Sequence, residues 1–173
     1  VIVPNISFVA SYNIFSFFGC NVYLADVDKI TGQVTPQSII NCIRREKIKK
    51  IKCFVTMPLG GLVLNISGFN NIKNQFKCYW MEDNCHALGS SYKFKSKIEK
   101  SGSCKSSDFS IFSFHPIKAI TTFEGGCVNF KNKKLFEKAK LFRSHGIIRK
   151  KDYWNYDVVL NGFNFRLNDV AAS

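Results

Sequence analysis

The strongest constraint on the fold of this chain is that short apolar runs alternate with segments that have the pattern of helices. The strand-like runs are residues 1–3, 22–25, 51–57, 78–81, 109–114 and 127–130. The helix-like segments are residues 8–18, a segment that begins at residue 35, residues 69–75 and residues 133–143. Alternation of this kind predicts an α/β fold in three layers, with a mostly parallel sheet and helices on both faces.

Three local patterns refine this prediction. Thr35 before Pro36 is typical of a helix N-cap followed by proline at the first helical position. Residues 8–18 are apolar enough to predict a largely buried helix, with Gly19 as its C-cap. By contrast, residues 93–107 are rich in lysine and serine and have no apolar period, so we expect an exposed loop there.

The size and composition of the chain favour one globular domain, because 46% of its 173 residues are hydrophobic. No apolar run reaches the roughly 18–20 residues needed to span a bilayer, so neither a transmembrane helix nor a membrane partner is expected. The seven cysteines are scattered without a CxxC pair, which argues against a metal site and against a disulfide framework. We expect them to be buried, reduced thiols of a cytoplasmic protein.

The formal net charge of +13 leaves more than one interpretation open. Such an excess attracts polyanions, so a nucleic-acid-binding domain is one alternative, and a nucleotide diphosphate or an anionic cofactor is another. However, the chain is also rich in residues encoded by A/T-rich codons, so base bias and a solvated face can account for much of the lysine. The chain lacks a nucleic-acid motif or aromatic-basic interleaving, so we expect no nucleic-acid partner.

Two places in the sequence combine chemistry-bearing side chains with the end of a predicted strand. Asp83 and His86 follow the strand at residues 78–81, and Ser113 and Lys118 lie at and after the end of the strand at residues 109–114. Ligands of parallel α/β sheets bind outside the carboxyl ends of the strands. Either place alone is a weak signal, since an acid after a strand is often a turn former and the chain has many lysines. Together they pair an acid with an amine.

Pyridoxal phosphate is one cofactor that explains this pairing. It is held covalently on a lysine, and its ring nitrogen needs a carboxylate partner that keeps it protonated. Lys118 and Asp83 are the candidates for these two roles. The hydroxyl of Ser113 and the glycine-rich turns near it are suitable contacts for the phosphate.

The chain resembles a known family of enzymes in five sequence blocks. These blocks occur in order as PNISFVAS (residues 4–11), EDNCHALGSSY (82–92), FSFHPIKAITTFEGG (112–126), LFRSHGIIRKK (141–151) and GFNFRLND (162–169). Together they resemble the DegT/DnrJ/StrS sugar aminotransferases. The most similar branch aminates a 4-keto-6-deoxy UDP-sugar on the way to pseudaminic acid. The resemblance implies the large domain of fold-type I aminotransferases, and transamination of a UDP-linked keto sugar with an amino acid donor, expected to be glutamate.

The resemblance also implies a role for six residues. Lys118 matches the Schiff-base lysine, Asp83 the partner of the pyridine nitrogen, and His86 the residue that contacts the phenolic oxygen. Phe8 matches an aromatic residue that stacks on the ring face, Ser113 a phosphate ligand, and Asn164 an asparagine that reaches the phosphate of the neighbouring subunit. The last role implies a homodimer.

The sequence departs from the family pattern in two respects. Phe123 stands where the family has glycine or alanine, in the loop that contains the lysine, and its bulk could alter the path of that loop. In addition, both ends of the sequence look cut, so we expect residues 1–173 to be a partial large domain without the N-terminal phosphate-binding segment and the C-terminal small domain. We expect such an internal fragment to be inactive alone. A non-catalytic or decayed relative remains an alternative.

Overall fold

The computed structural model describes residues 1–63, 65–152 and 154–173. Its strands are β1 (Ile2–Pro4), β2 (Tyr23–Ala25), β3 (Cys53–Thr56), β4 (Tyr79–Asp83), β5 (Ser91–Phe94), β6 (Lys97–Lys100), β7 (Phe109–Ser113), β8 (Gly126–Phe130), β9 (Ile147–Arg149) and β10 (Tyr156–Val158). Its α-helices are α1 (Ala10–Phe17), α2 (Pro36–Arg45), α3 (Ile66–Phe76), α4 (Lys133–Arg143) and α5 (Asp169–Ala172).

Six of the strands form one sheet in the order β2-β1-β3-β4-β7-β8. All neighbouring pairs in it are parallel except β7 and β8, which are antiparallel. The pairs β5–β6 and β9–β10 form two separate antiparallel hairpins. The predicted α/β fold with a mostly parallel sheet is therefore confirmed. No helix in the described ranges is both long and apolar enough to cross a membrane.

One face of the sheet is covered by α2 and α3. Phe54 of β3 and Trp80 of β4 lie side by side in parallel register, and Phe69 of α3 packs on both, with ring centroids 6.0 and 5.6 Å away. The N-cap prediction for α2 is confirmed, because the Thr35 side chain accepts a hydrogen bond from the backbone N–H of Ser38. Phe54, Phe69 and Trp80 belong to the larger of the two buried apolar clusters found among the described residues.

The opposite face of the sheet is contacted by α1. Val3, Val55 and Met81 form a second buried cluster against which Phe15 of α1 packs. Since successive residues of a strand point to opposite faces, Met81 and Asp83 of β4 both lie on the α1 side, and Trp80 lies on the other.

The prediction of a largely buried helix over residues 8–18 is wrong for the part of the chain that the structure describes. Ser11 is the buried residue of α1, and the ring of Phe17 is 80% exposed. The apolar composition of a helix indicates that it can be covered, but not which surface covers it. Gly19 follows the helix with a φ of +73°, as expected of a C-terminal glycine.

The prediction of an exposed loop over residues 93–107 is also wrong. The hairpin β5–β6 occupies the first part, and Ser101 and Ser107 in the second part are buried. Ser107 Oγ donates to Glu82 Oε2 at 2.7 Å, and Ser101 Oγ donates to Asn84 Oδ1 at 2.8 Å. Burial raises the pKa of the Glu82 carboxyl. The serines are ordered because they satisfy buried polar groups at the end of β4.

Two glycines allow a direct test of how closely this serine-rich segment packs. Gly102 and Gly89 have almost the same left-handed φ, +80° and +84°. A Cβ at Gly102 would overlap the ring of buried Phe112, whereas a Cβ at Gly89 would meet nothing within 4 Å. Both alanine variants carry the backbone strain of about 1–2 kcal/mol. We expect Gly102→Ala to lower the free energy of unfolding by about 1–3 kcal/mol more than Gly89→Ala, through overpacking.

Urea unfolding of the two variants measures this difference. If both lose the same stability, the segment around Gly102 does not pack on Phe112.

Candidate active site

The candidate site lies where β4 and β7 end side by side. Asp83, the last residue of β4, pairs with Ile111 of β7, so the loops after both strands leave the sheet at the same edge. Between these loops is an open cleft of about 310 Å³, whose lining includes Cys85, His86, Ser113 and Lys118. That volume is at the lower end of the range for small-molecule sites.

Asp83 is 4% exposed and is held by two hydrogen bonds. Its Oδ2 accepts from Ser11 Oγ of α1 at 2.8 Å, and its Oδ1 accepts from the backbone N–H of Cys85 at 3.2 Å. Sequence reasoning missed the contact from Ser11. The available signal was a serine within an otherwise largely apolar helix sequence.

Cys85 lies between the acid and the amine. Its thiol pKa is raised to about 12, mainly by burial and then by the hydrogen bond and charge of Asp83, while the charge of Lys118 acts in the opposite direction. The thiol is therefore close to both groups, and at neutral pH it is protonated and weakly nucleophilic. Sequence reasoning did not single out Cys85.

Lys118 lies in the connection between β7 and β8, which folds back on its own start. The backbone N–H of Lys118 donates to His115 O at 2.9 Å, and Phe114 N–H donates to Gly125 O at 2.8 Å. The carbonyl of Phe114 accepts from Thr122 N–H and from the Thr121 hydroxyl, both at 3.0 Å. These bonds fix the loop, so the half-buried Lys118 is positioned in the cleft by backbone contacts.

His86 and Ser113 line the same cleft from its two sides. His86 is exposed and lies in the turn closed by the hydrogen bond from Ala87 N–H to Asn84 O at 2.8 Å. Ser113 ends β7, and its Oγ accepts from His115 N–H at 3.2 Å. Three of the six predicted residues, His86, Ser113 and Lys118, therefore line the cleft. Asp83 is not among the described lining residues, but it lies directly behind one of them, Cys85, whose backbone N–H donates a hydrogen bond to it.

The other two predicted residues occupy different positions. Phe8 lies one turn before Ser11, whose backbone N–H donates to Phe8 O at 3.1 Å, and its ring is 71% exposed. Asn164 pairs with Ser144 in an isolated bridge and is exposed. It is not among the described residues that line the cleft.

The fold is that of the pyridoxal-phosphate-dependent aminotransferases, as solved structures show. The Helicobacter pylori aminotransferase PseC, described as involved in the biosynthesis of pseudoaminic acid, superposes with a TM-score of 0.83 at 33% identity, over 99% of this chain and 43% of its own. The PLP form of the sugar aminotransferase Spr1654 from Streptococcus pneumoniae gives 0.83 at 26% identity, over 99% of this chain and 46% of its own.

The chain belongs to the DegT/DnrJ/EryC1/StrS aminotransferase family, whose model matches residues 1–173. A curated relative from Campylobacter jejuni, the UDP-4-amino-4,6-dideoxy-N-acetyl-beta-L-altrosamine transaminase, is 36% identical over 173 residues. The alignment covers 100% of this chain and 44% of that relative. The chain therefore spans less than half the length of the curated relative.

The side chains at the cleft fit pyridoxal phosphate, the cofactor of this family. A buried carboxylate, Asp83, suits the basic ring nitrogen, and the Lys118 amine suits the aldehyde. The hydroxyl of Ser113 and the imidazole of His86 are suitable partners for the phosphate and the phenolic oxygen. The donor set therefore matches the functional groups of this cofactor.

The loop that positions Lys118 contains one residue in an unfavourable conformation. Phe123 has a φ of +65°, in the left-handed region, and its ring is 82% exposed. A side chain with a Cβ is strained there by about 1–2 kcal/mol, and glycine is not. This explains why glycine suits the position. The ring of Phe123 extends into solvent, so its bulk is accommodated outside the protein.

This strain predicts that Phe123→Gly is more stable than Phe123→Ala, by about 1 kcal/mol after the extra entropy of unfolded glycine is included. Both variants remove the same exposed ring, and only alanine keeps the strained Cβ. Chemical unfolding of the two proteins measures the difference. Equal stability would mean that residue 123 is not left-handed in solution.

Proposed function

We propose that this chain is the cofactor-binding domain of an aminotransferase that transfers an amino group from an amino acid, expected to be glutamate, to a UDP-linked 4-keto-6-deoxy sugar. The observation that carries the proposal is that Cys85 of the cleft lies between buried Asp83, which accepts a hydrogen bond from its backbone N–H, and Lys118, which lines the same cleft. The name of the Campylobacter relative supports the substrate class.

Asp83 and Lys118 divide the central chemistry in this proposal. When bound, pyridoxal phosphate acts as an electron sink for the carbon next to the transferred nitrogen. The Asp83 carboxylate holds a proton on the ring nitrogen, which needs negative charge at a fixed, buried position. The Lys118 amine holds the cofactor through its aldehyde carbon and moves protons at Nζ. The neutral thiol of Cys85 does not compete with it.

The remaining residues bind and orient in this proposal. His86 contacts the phenolic oxygen, Ser113 the phosphate, and Phe8 the ring face. The exposure of Phe8 leaves its ring free to take this role. Asn164 is exposed and outside the cleft of its own chain, which supports a contact to the phosphate of a neighbouring subunit in a homodimer.

The charge and the cysteines support two further parts of the proposal. The net charge of +13 favours an anionic substrate, and a nucleotide diphosphate has that character. All seven cysteines are free thiols, which favours a cytoplasmic location. The expectation that they are all buried is wrong for Cys20 and Cys127, which are exposed.

The proposal predicts that Lys118 is the lysine that binds the cofactor. The full-length protein is incubated with pyridoxal phosphate, reduced with borohydride, and digested for mass spectrometry. We expect the cofactor mass on the peptide that contains Lys118, and we expect Lys118→Arg to remove both this label and the transamination. Lys93→Arg, on the exposed strand β5, is the matched control and keeps both.

Turnover by the Lys118→Arg variant would contradict the proposal. Labelling of Lys118 without any amino transfer from glutamate or other amino acids would instead favour a non-catalytic relative.

A further inference from the structure

The inward face of α1 consists of a polar residue followed by an aromatic one. Ser11 and Phe15 are four residues apart, so they lie on the same side of the helix. Phe15 packs on the apolar cluster around Met81, and Ser11 contacts Asp83, two residues further along β4. The helix therefore runs in the direction opposite to β4, and its first turn places a hydroxyl group on the acid at the carboxyl end of that strand.

The Ser11 hydroxyl makes a contact that the local sequence does not provide. A serine inside a helix usually bonds to a backbone carbonyl one turn earlier or to water. Ser11 is only 4% exposed, and its Oγ donates at 2.8 Å to a carboxylate 72 residues away. Its geometry is therefore set by tertiary packing around Asp83.

The same bond is shorter than the one that Asp83 accepts from the backbone of Cys85. The amide of Cys85 donates to the other carboxylate oxygen at 3.2 Å, against 2.8 Å for Ser11. A hydrogen bond to a charged carboxylate is roughly twice as strong as one between neutral groups. Removal of the hydroxyl leaves Asp83 with the longer bond from the Cys85 amide and with the Cys85 thiol, which is a weak donor.

We infer that Ser11 is a positioning residue, which orients the Asp83 carboxylate and stabilises its negative charge so that Asp83 can hold the proton on the cofactor ring nitrogen. This inference rests on the proposed function. Because Phe8 lies one turn before Ser11 on the same segment, the bond from Ser11 to Asp83 also ties the proposed ring-face residue to the proposed ring-nitrogen partner.

The test compares Ser11→Ala, Ser11→Thr and Asp83→Asn in the full-length protein loaded with pyridoxal phosphate. We expect Ser11→Ala to lower kcat about 10- to 100-fold, the equivalent of one charged hydrogen bond, with KM for the sugar nearly unchanged. The pH titration of the bound cofactor's absorbance should shift in Ser11→Ala and in Asp83→Asn. Ser11→Thr keeps the hydroxyl and should restore the parental titration.

A double variant separates positioning from a general structural effect. If Ser11 acts through Asp83, Ser11→Ala adds no further loss of kcat to Asp83→Asn. Thermal unfolding checks that Ser11→Ala is folded, which is expected because alanine is a better helix former than serine. If alanine nevertheless prevents folding, the nearly isosteric Ser11→Cys takes its place.

A parental kcat and titration in Ser11→Ala, or additive losses in the double variant, would overturn the inference. Failure of the proposed function is a separate outcome. It would appear as turnover by the Lys118→Arg variant, and it does not depend on the residue at position 11.

Discussion

The parallel pairing of β4 with β7 is the constraint on which the site depends. It places the ends of two strands that lie far apart in sequence at one edge of the sheet, with Asp83 directly opposite Ile111. The antiparallel strand β8 then closes the other side, because Ser113 pairs with Gly126 at the base of the loop that contains Lys118. β4 therefore supplies the acid, and β7 and β8 anchor the two ends of the loop that contains the amine.

The end of β4 is also the place where the sheet changes from apolar to polar. Glu82, Asp83 and Asn84 are consecutive and buried, so each needs hydrogen-bond partners from elsewhere in the chain. Ser107 and Ser101 supply them on one side, and Ser11 supplies one on the α1 side. Within the described residues no buried side-chain nitrogen or oxygen lacks a partner. The two neighbours of Asp83 in sequence are thus held by the serine-rich segment, while Asp83 itself is held by Ser11 and by the backbone of Cys85.

The sequence predicted the mostly parallel sheet and the bounds of α4, because apolar periodicity is a local pattern. It also predicted that Asp83 and Lys118 lie near the ends of two strands, although β4 extends two residues beyond the predicted strand and includes Asp83. It did not predict the roles of Ser11 and the buried serines before β7. Their burial depends on polar groups of β4 that are distant in sequence. A helix usually buries its apolar residues and exposes its polar ones. α1 departs from this rule, because it buries Ser11 and leaves Phe17 exposed.

The Lys118 loop shows how the chain tolerates a residue that departs from the family pattern. Where the backbone must approach other atoms closely, the loop has glycines: a Cβ at Gly125 would crowd Thr122 and Leu167, and one at Gly126 would crowd the carbonyl of Phe112. At Phe123 only the backbone conformation is demanding, because the ring has open solvent around it. The hydroxyl of Thr121 accepts from Phe123 N–H at 3.0 Å and donates to Phe114 O, so the loop is held on both sides of the strained residue. The strain therefore lowers stability locally while Lys118 keeps its place in the cleft.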